Sequence, residues 1–84
     1  MLSKGTVEIL TALEKREMRF HQLAKIKVDS KRINRRTLSL RLKMLEEKLL
    51  IQRRVVKGRP PYTEYSLTIR GQQLLPHLKE LQRT

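Results

Sequence analysis

Apolar residues recur along this chain with a helical period at each end and in the middle, and with a strand period between. Val7, Ile9, Leu10, Ala12 and Leu13 mark a first helix over about 4–15. Their arc is wider than the single stripe with which a surface helix faces one core. The excess predicts that part of this helix packs against a second chain. Lys15-Arg16-Glu17 is a polar break, and Met18-Arg19-Phe20 alternates like a brief edge strand. Phe20, Leu23, Ala24 and Ile26 restore helical spacing and predict a short second helix from about 21 to 27. From Val28 to Ile33 the pattern lapses, and Asp29-Ser30 reads as a turn.

Asn34 is placed to N-cap a third helix running to about residue 48. Leu38, Leu42, Leu45 and Leu49 follow at i, i+4, i+7 and i+11 and share one face. At about 100° per residue, Arg36, Ser39, Leu40, Lys43 and Glu47 fall on the other. The bases lie toward the start of this helix and the acids toward its end, the reverse of what the helix dipole favours. That order suits a phosphate or a base edge better than it suits local stability.

Leu50 to Lys57 reads as a strand, and Gly58-Arg59-Pro60-Pro61 as a turn with glycine taking positive φ. Tyr62 to Leu67 alternates and returns as the partner strand, with Tyr65 expected in the core. Thr68 caps a last helix whose apolar stripe is Gly71, Leu74, Leu75, Leu78 and Leu81. Pro76 lacks a backbone donor, so a kink or restart is expected near 72–76. The order α-β-α-α-β-β-α is that of a winged helix-turn-helix. The fold class is α+β, mostly α, in one domain over 1–84, with a two-stranded wing.

Charge turns this scaffold toward a partner. Of the net +12 carried by 84 residues, eleven bases against two acids place +9 between Lys31 and Arg59. A pI near 11.0 makes a polyanion the first partner to consider. A membrane surface would want exposed large apolar groups on a basic helix, whereas these leucines are committed to a core. A helix followed by a basic hairpin fits a DNA groove and the backbone beside it.

Three segments resemble one known family. Arg19-Phe20-His21-Gln22-Leu23 is similar to the R-F-x-x-L start of the second helix in HxlR-type transcriptional regulators. Residues Arg36 to Glu46 resemble their R-T-L-S-x-R-L-K-x-L-E recognition helix. Pro60 to Gly71 resembles their P-P-x-x-E-Y-x-L-T-x-x-G wing exit, the most specific of the three. MarR and PadR relatives share the leucine pattern of the middle segment. The resemblance implies a homodimeric DNA-binding regulator whose terminal helices build the dimer and whose helix after the turn enters the major groove. The chain departs from the pattern in three ways. It has no cysteine, which excludes sensing through an N-terminal thiol. Its loop from Val28 to Ile33 is longer than usual. Leu49 stands where a glycine usually closes the recognition helix.

The candidate DNA contacts follow. Arg35 and Arg36 lie in the first turn of the recognition helix, and arginine suits the paired acceptors of guanine. Ser39 would meet a phosphate or base, Lys43 the backbone, and Leu40 a thymine methyl unless it joins the core. Arg59 at the wing tip, with Lys57 and Arg54, is placed for a minor groove or the phosphates; for Arg54 the alternative is a cross-strand pair with Glu64. Asn34, Lys31 and Arg32 are candidates for phosphate at the helix start. The first and last helices, about 4–15 and 69–83, are expected to form the dimer interface through Val7, Leu10, Leu74, Leu78 and Leu81.

Other functions find little support. With no cysteine and two distant histidines, neither a disulfide framework nor a metal cluster is expected. No nucleophile–base pair or Gly-rich phosphate loop is present, so the chain reads as a non-enzyme that needs no cofactor. No stretch reaches the roughly 18 apolar residues of a membrane span, and the N-terminus does not read as a signal peptide. The expectation is a cytoplasmic, sequence-specific regulator of transcription bound to double-stranded DNA as a homodimer. The alternative is a non-specific architectural DNA-binding protein, or a basic RNA-binding one, on the same fold.

Overall fold

A computed structural model describes residues 5–83. In chain order the elements are α1 (Thr6–Lys15), β1 (Met18–Arg19), α2 (Phe20–Leu23), β2 (Lys27–Val28), β3 (Lys31–Arg32), α3 (Arg35–Glu47), β4 (Ile51–Val56), β5 (Tyr62–Leu67) and α4 (Ile69–Arg83). The mostly helical α+β winged-helix architecture expected from the sequence is present, with one addition. Where a turn was expected after the second helix, β2 and β3 form a small hairpin of their own.

The inward face of α3 organises the core. Leu38, Leu42 and Leu45 are buried there, and burial of each leucine contributes about 1.5–3 kcal/mol. Asn34 caps the helix, its Oδ1 accepting from the backbone N–H groups of Arg36 (2.8 Å) and Thr37 (3.4 Å). The far end closes in a Schellman motif made by leucine. Leu49 N–H donates to Glu46 O (3.0 Å) and Leu50 N–H to Leu45 O (3.0 Å), with Leu49 itself at φ 62°. Left-handed backbone costs a branched L residue roughly 1–2 kcal/mol. Leu49 is 66% exposed and has little packing to set against that cost. Leu49→Gly should therefore stabilise the protein by about 0.5–1 kcal/mol after glycine's greater unfolded entropy is counted. A rise in the urea midpoint at unchanged m would establish it; an unchanged midpoint would mean that the side chain has a partner.

The larger sheet is antiparallel in the order β1-β5-β4. Pairing Ile51 with Leu67, Arg53 with Tyr65, and Met18 with Tyr65 puts these side chains on one face. Ile51 is buried, and Met18, Leu67 and Tyr65 pack on the core. Tyr65 is thus half-buried rather than enclosed. Burial raises its phenol pKa, Arg53 opposes the rise and Glu46 adds to it. The other face carries Gln52, Arg54, Val56, Tyr62, Glu64 and Arg19. There the Arg19 guanidinium lies 3.5 Å from the centre of the Tyr62 ring.

Two expected helix boundaries move, and one expected restart is absent. The first predicted helix begins at Thr6; residue 4 lies outside the described residues. The second helix ends at Leu23 rather than near 27. Its last turns tighten to i→i+3 bonds, Lys25 N–H to Gln22 O (3.2 Å) and Ile26 N–H to Leu23 O (3.1 Å), before Lys27 enters β2. The last helix runs from Ile69 to Arg83 without a restart at Pro76. Pro76 and Gln72 are both exposed, so the carbonyl that proline leaves without a donor lies on the solvent side. Gly58 in the wing does not take the positive φ expected of it. The turn instead contains a cis Arg59–Pro60 bond.

Candidate nucleic-acid interface

The N-cap that fixes the start of α3 also fixes its first arginines. Asn34 was a candidate phosphate ligand; its side-chain oxygen is occupied by the cap, and what it does here is orient Arg35 and Arg36. Both arginines are exposed, as are Ser39, Leu40 and Lys43. Leu40 is 56% exposed, so it does not join the core. The core leucines hold one side of the helix, and the strip bearing Arg36, Ser39, Leu40 and Lys43 is left to solvent.

The wing meets one flank of that strip. Ser39 and Lys43, with Glu46, line a recess of about 290 Å³ together with Phe20, Arg53 and Tyr65. Arg53 Nε lies 3.7 Å from Glu46 Oε2. Arg53 was absent from the sequence-derived candidates, although the register made it findable. A strand that buries Ile51 beside Leu67 must turn Arg53 to the same face, toward α3.

Alternation sends Arg54 the other way. Its Nη2 lies 2.9 Å from Glu64 Oε1 and 3.9 Å from Glu17 Oε2. The hydrogen bond to Glu64 and the charge of Glu17 raise its pKa. Arg54 is the cross-strand partner of Glu64 on the outer sheet face, the alternative to a groove contact that the sequence offered for it. Lys57 and Arg59 stay exposed at the end of the wing. Lys31 and Arg32 are exposed on β3, just ahead of the α3 cap.

The residues expected at a dimer contact separate into two groups. Leu10 is 0% exposed within the single chain and has no surface to offer a partner, so that expectation is corrected. The wide apolar arc of α1 is used mostly by its own core, where Val7, Ile9, Leu10 and Leu13 are buried. Val7 and Leu78 retain a little exposure, Leu74 is half-buried and Leu81 is 66% exposed. Val7, Ala12 and Ile26, with Lys15, Lys27 and Lys79, line a groove of about 560 Å³ between α1 and the end of α4. Among the described residues no helix is long and apolar enough to cross a membrane.

This architecture has relatives. A MarR-family protein from Enterococcus faecalis V583 superposes with a TM-score of 0.75 at 29% identity, over 89% of this chain and 66% of its own. The transcriptional regulator YodB from B. subtilis, in its reduced form, superposes at 0.80 with 26% identity, over 96% and 76%. A MarR-family protein from Porphyromonas gingivalis W83 superposes at 0.79 with 31% identity, over 96% and 76%. The chain thus spans just under two thirds of the Enterococcus protein's length and about three quarters of the other two. No curated protein matches it. The family model for the HxlR-like helix-turn-helix matches residues 2–84, and the chain belongs to that family.

Proposed function

We propose that this protein is a sequence-specific transcriptional regulator that binds double-stranded DNA as a homodimer. The observation that carries the reading is the exposed strip Arg36, Ser39, Leu40 and Lys43 on a capped helix, beside a wing ending in Lys57 and Arg59. In the major groove, Arg36 is suited to the guanine O6 and N7 acceptors and Leu40 to a thymine methyl. Ser39, Lys43 and Arg35 hold the backbone nearby. Arg59 and Lys57 lie on a minor groove or along phosphates.

Two copies join through the remaining apolar surface of α1 and α4. Leu81 is the most exposed of the candidate interface leucines, Leu74 is partly covered, and Val7 lies in the groove beside α4. A two-fold dimer sets its recognition helices about 34 Å apart, one turn of duplex. A thiol switch is excluded because the chain holds no cysteine, and regulation is by occupancy of the site. The setting is the cytoplasm, where the DNA lies.

Selection from a random duplex pool with the purified protein tests this. The expected product is an inverted repeat with half-site centres about 10 base pairs apart. A pool that enriches no motif while still binding would favour the architectural alternative, to which the +9 charge between Lys31 and Arg59 is equally suited. A single half-site would refute the dimer.

A further inference from the structure

The β2–β3 hairpin is an element that neither the wing nor the recognition helix explains. It pairs Lys27 with Arg32 and Val28 with Lys31 across a two-residue turn. Asp29 and Ser30 both lie at positive φ, 54° and 68°, the backbone of a type I′ turn. Its base is held firmly. Ile33 N–H donates to Ile26 O (3.1 Å), and Ile33 is buried against Gly5, where an added Cβ would come within 2.9 Å of Ile33 Cδ1. Val28 packs on the core, so Lys27 and Arg32 share the opposite, exposed face of the hairpin, where Lys27 also borders the groove beside Val7 and Glu8 of α1.

On that exposed face two cations sit directly opposite each other. Like charges at a cross-strand position destabilise the pair. Both side chains are exposed, and Lys25 beside them is exposed too. One residue, Ile33, separates Arg32 from the Asn34 cap of α3, so the hairpin cannot move far from the first turn of that helix. Two opposed cations on a preorganised turn form a clamp for one anionic group between them, and such a group turns their repulsion into attraction.

We infer that β2–β3 is a second basic wing, in which Lys27 and Arg32 clamp a backbone phosphate of double-stranded DNA at the N-terminal end of the recognition helix. This rests on the regulator reading above and extends its footprint. The first wing lies against the flank of α3 bearing Ser39 and Lys43; this one is attached at the helix start, ahead of Arg35 and Arg36.

The test is K27Q/R32Q, compared with the charge-matched R16Q/R70Q, whose residues are exposed and lie outside the interface. Each is titrated by fluorescence anisotropy against a labelled mixed-sequence duplex of about three helical turns, from about 0.05 to 0.2 M salt. The clamp predicts that K27Q/R32Q lowers the slope of log K against log salt by about one and weakens binding on the order of tenfold. R16Q/R70Q should change the slope by less than half as much. The free K27Q/R32Q protein should melt no lower than the parent, because a repulsive pair has been removed. Equal slopes for the two variants, with parent binding intact, would overturn the clamp and leave the regulator reading standing. A lower melting temperature would assign the pair a structural role and overturn the clamp as well. If the parent binds no duplex at any salt, both readings fall together.

Discussion

Gly71→Ala should cost this protein about 3 kcal/mol of stability, a large share of what a domain of this size holds. A Cβ at position 71 would run into the backbone oxygen of Leu50 and come within 2.7 Å of Leu67 Cδ1. The carbonyl cannot easily retreat, because it accepts the N–H of Thr68 (3.1 Å), while Leu50 N–H is itself bound to Leu45 O in the closing motif of α3. Thr68 ties the same junction a second time. Its hydroxyl donates to Leu49 O (2.7 Å) and accepts from Gly71 N–H (3.0 Å). The start of α4 is thus clamped onto the end of α3, and glycine is the residue that lets them approach. Alanine's better helix propensity returns about 1 kcal/mol, which the clash exceeds. Urea unfolding followed by circular dichroism would measure the loss. A change below about 0.5 kcal/mol would mean that the junction yields freely and that the clamp is not rigid.

That junction gives a physical meaning to the T-x-x-G pattern of the wing exit: threonine caps and bridges, and glycine makes room. This part of the fold was legible, as were the recognition helix and the wing, because each carries a long periodic signal or a strong turn residue. The β2–β3 hairpin was not. Two-residue strands carry no period, Val28 is the one apolar residue in them, and Asp-Ser is a weak form of a turn that Asn-Gly usually announces. The width of the first helix's apolar arc has more than one cause. A partner chain would widen such an arc, and so does a place in the middle of a small core, where a helix is covered on several sides by its own chain, as Leu10 shows.

The candidate site was legible in outline and less so in detail. Exposure of Arg36, Ser39, Leu40 and Lys43 follows from the leucine face opposite them. The choice between Arg53 and Arg54 needed the register. One residue of shift exchanges the arginine beside Ser39 and Lys43 for the one held by Glu64 and Glu17. Sequence alone left both faces of that strand basic, and the acids that claim Arg54 come from β5 and from the segment before β1.

Of the proposed DNA contacts, Arg36 and Arg59 should fail in opposite ways when replaced. Arg36 sits in the first turn of a capped helix, with its side chain exposed beside Leu40 and Ser39, where a guanine edge would be met at fixed geometry. Arg36→Ala should weaken binding to the selected site by about 1–3 kcal/mol, roughly five- to a hundred-and-fifty-fold. It should relax preference at one position of each half-site and leave binding to scrambled duplex little altered. Arg59 stands at a wing tip between Gly58 and Pro60, away from the helix, and meets the duplex through charge and groove shape. Arg59→Ala should weaken selected and scrambled duplexes by similar factors and lower the salt slope by about one. The contrast is what carries the claim of a chosen sequence. Net charge attracts any duplex, so a protein that merely neutralises phosphates would lose affinity uniformly in both variants. If Arg36→Ala lowers both duplexes alike, α3 is holding backbone and the specificity must come from elsewhere.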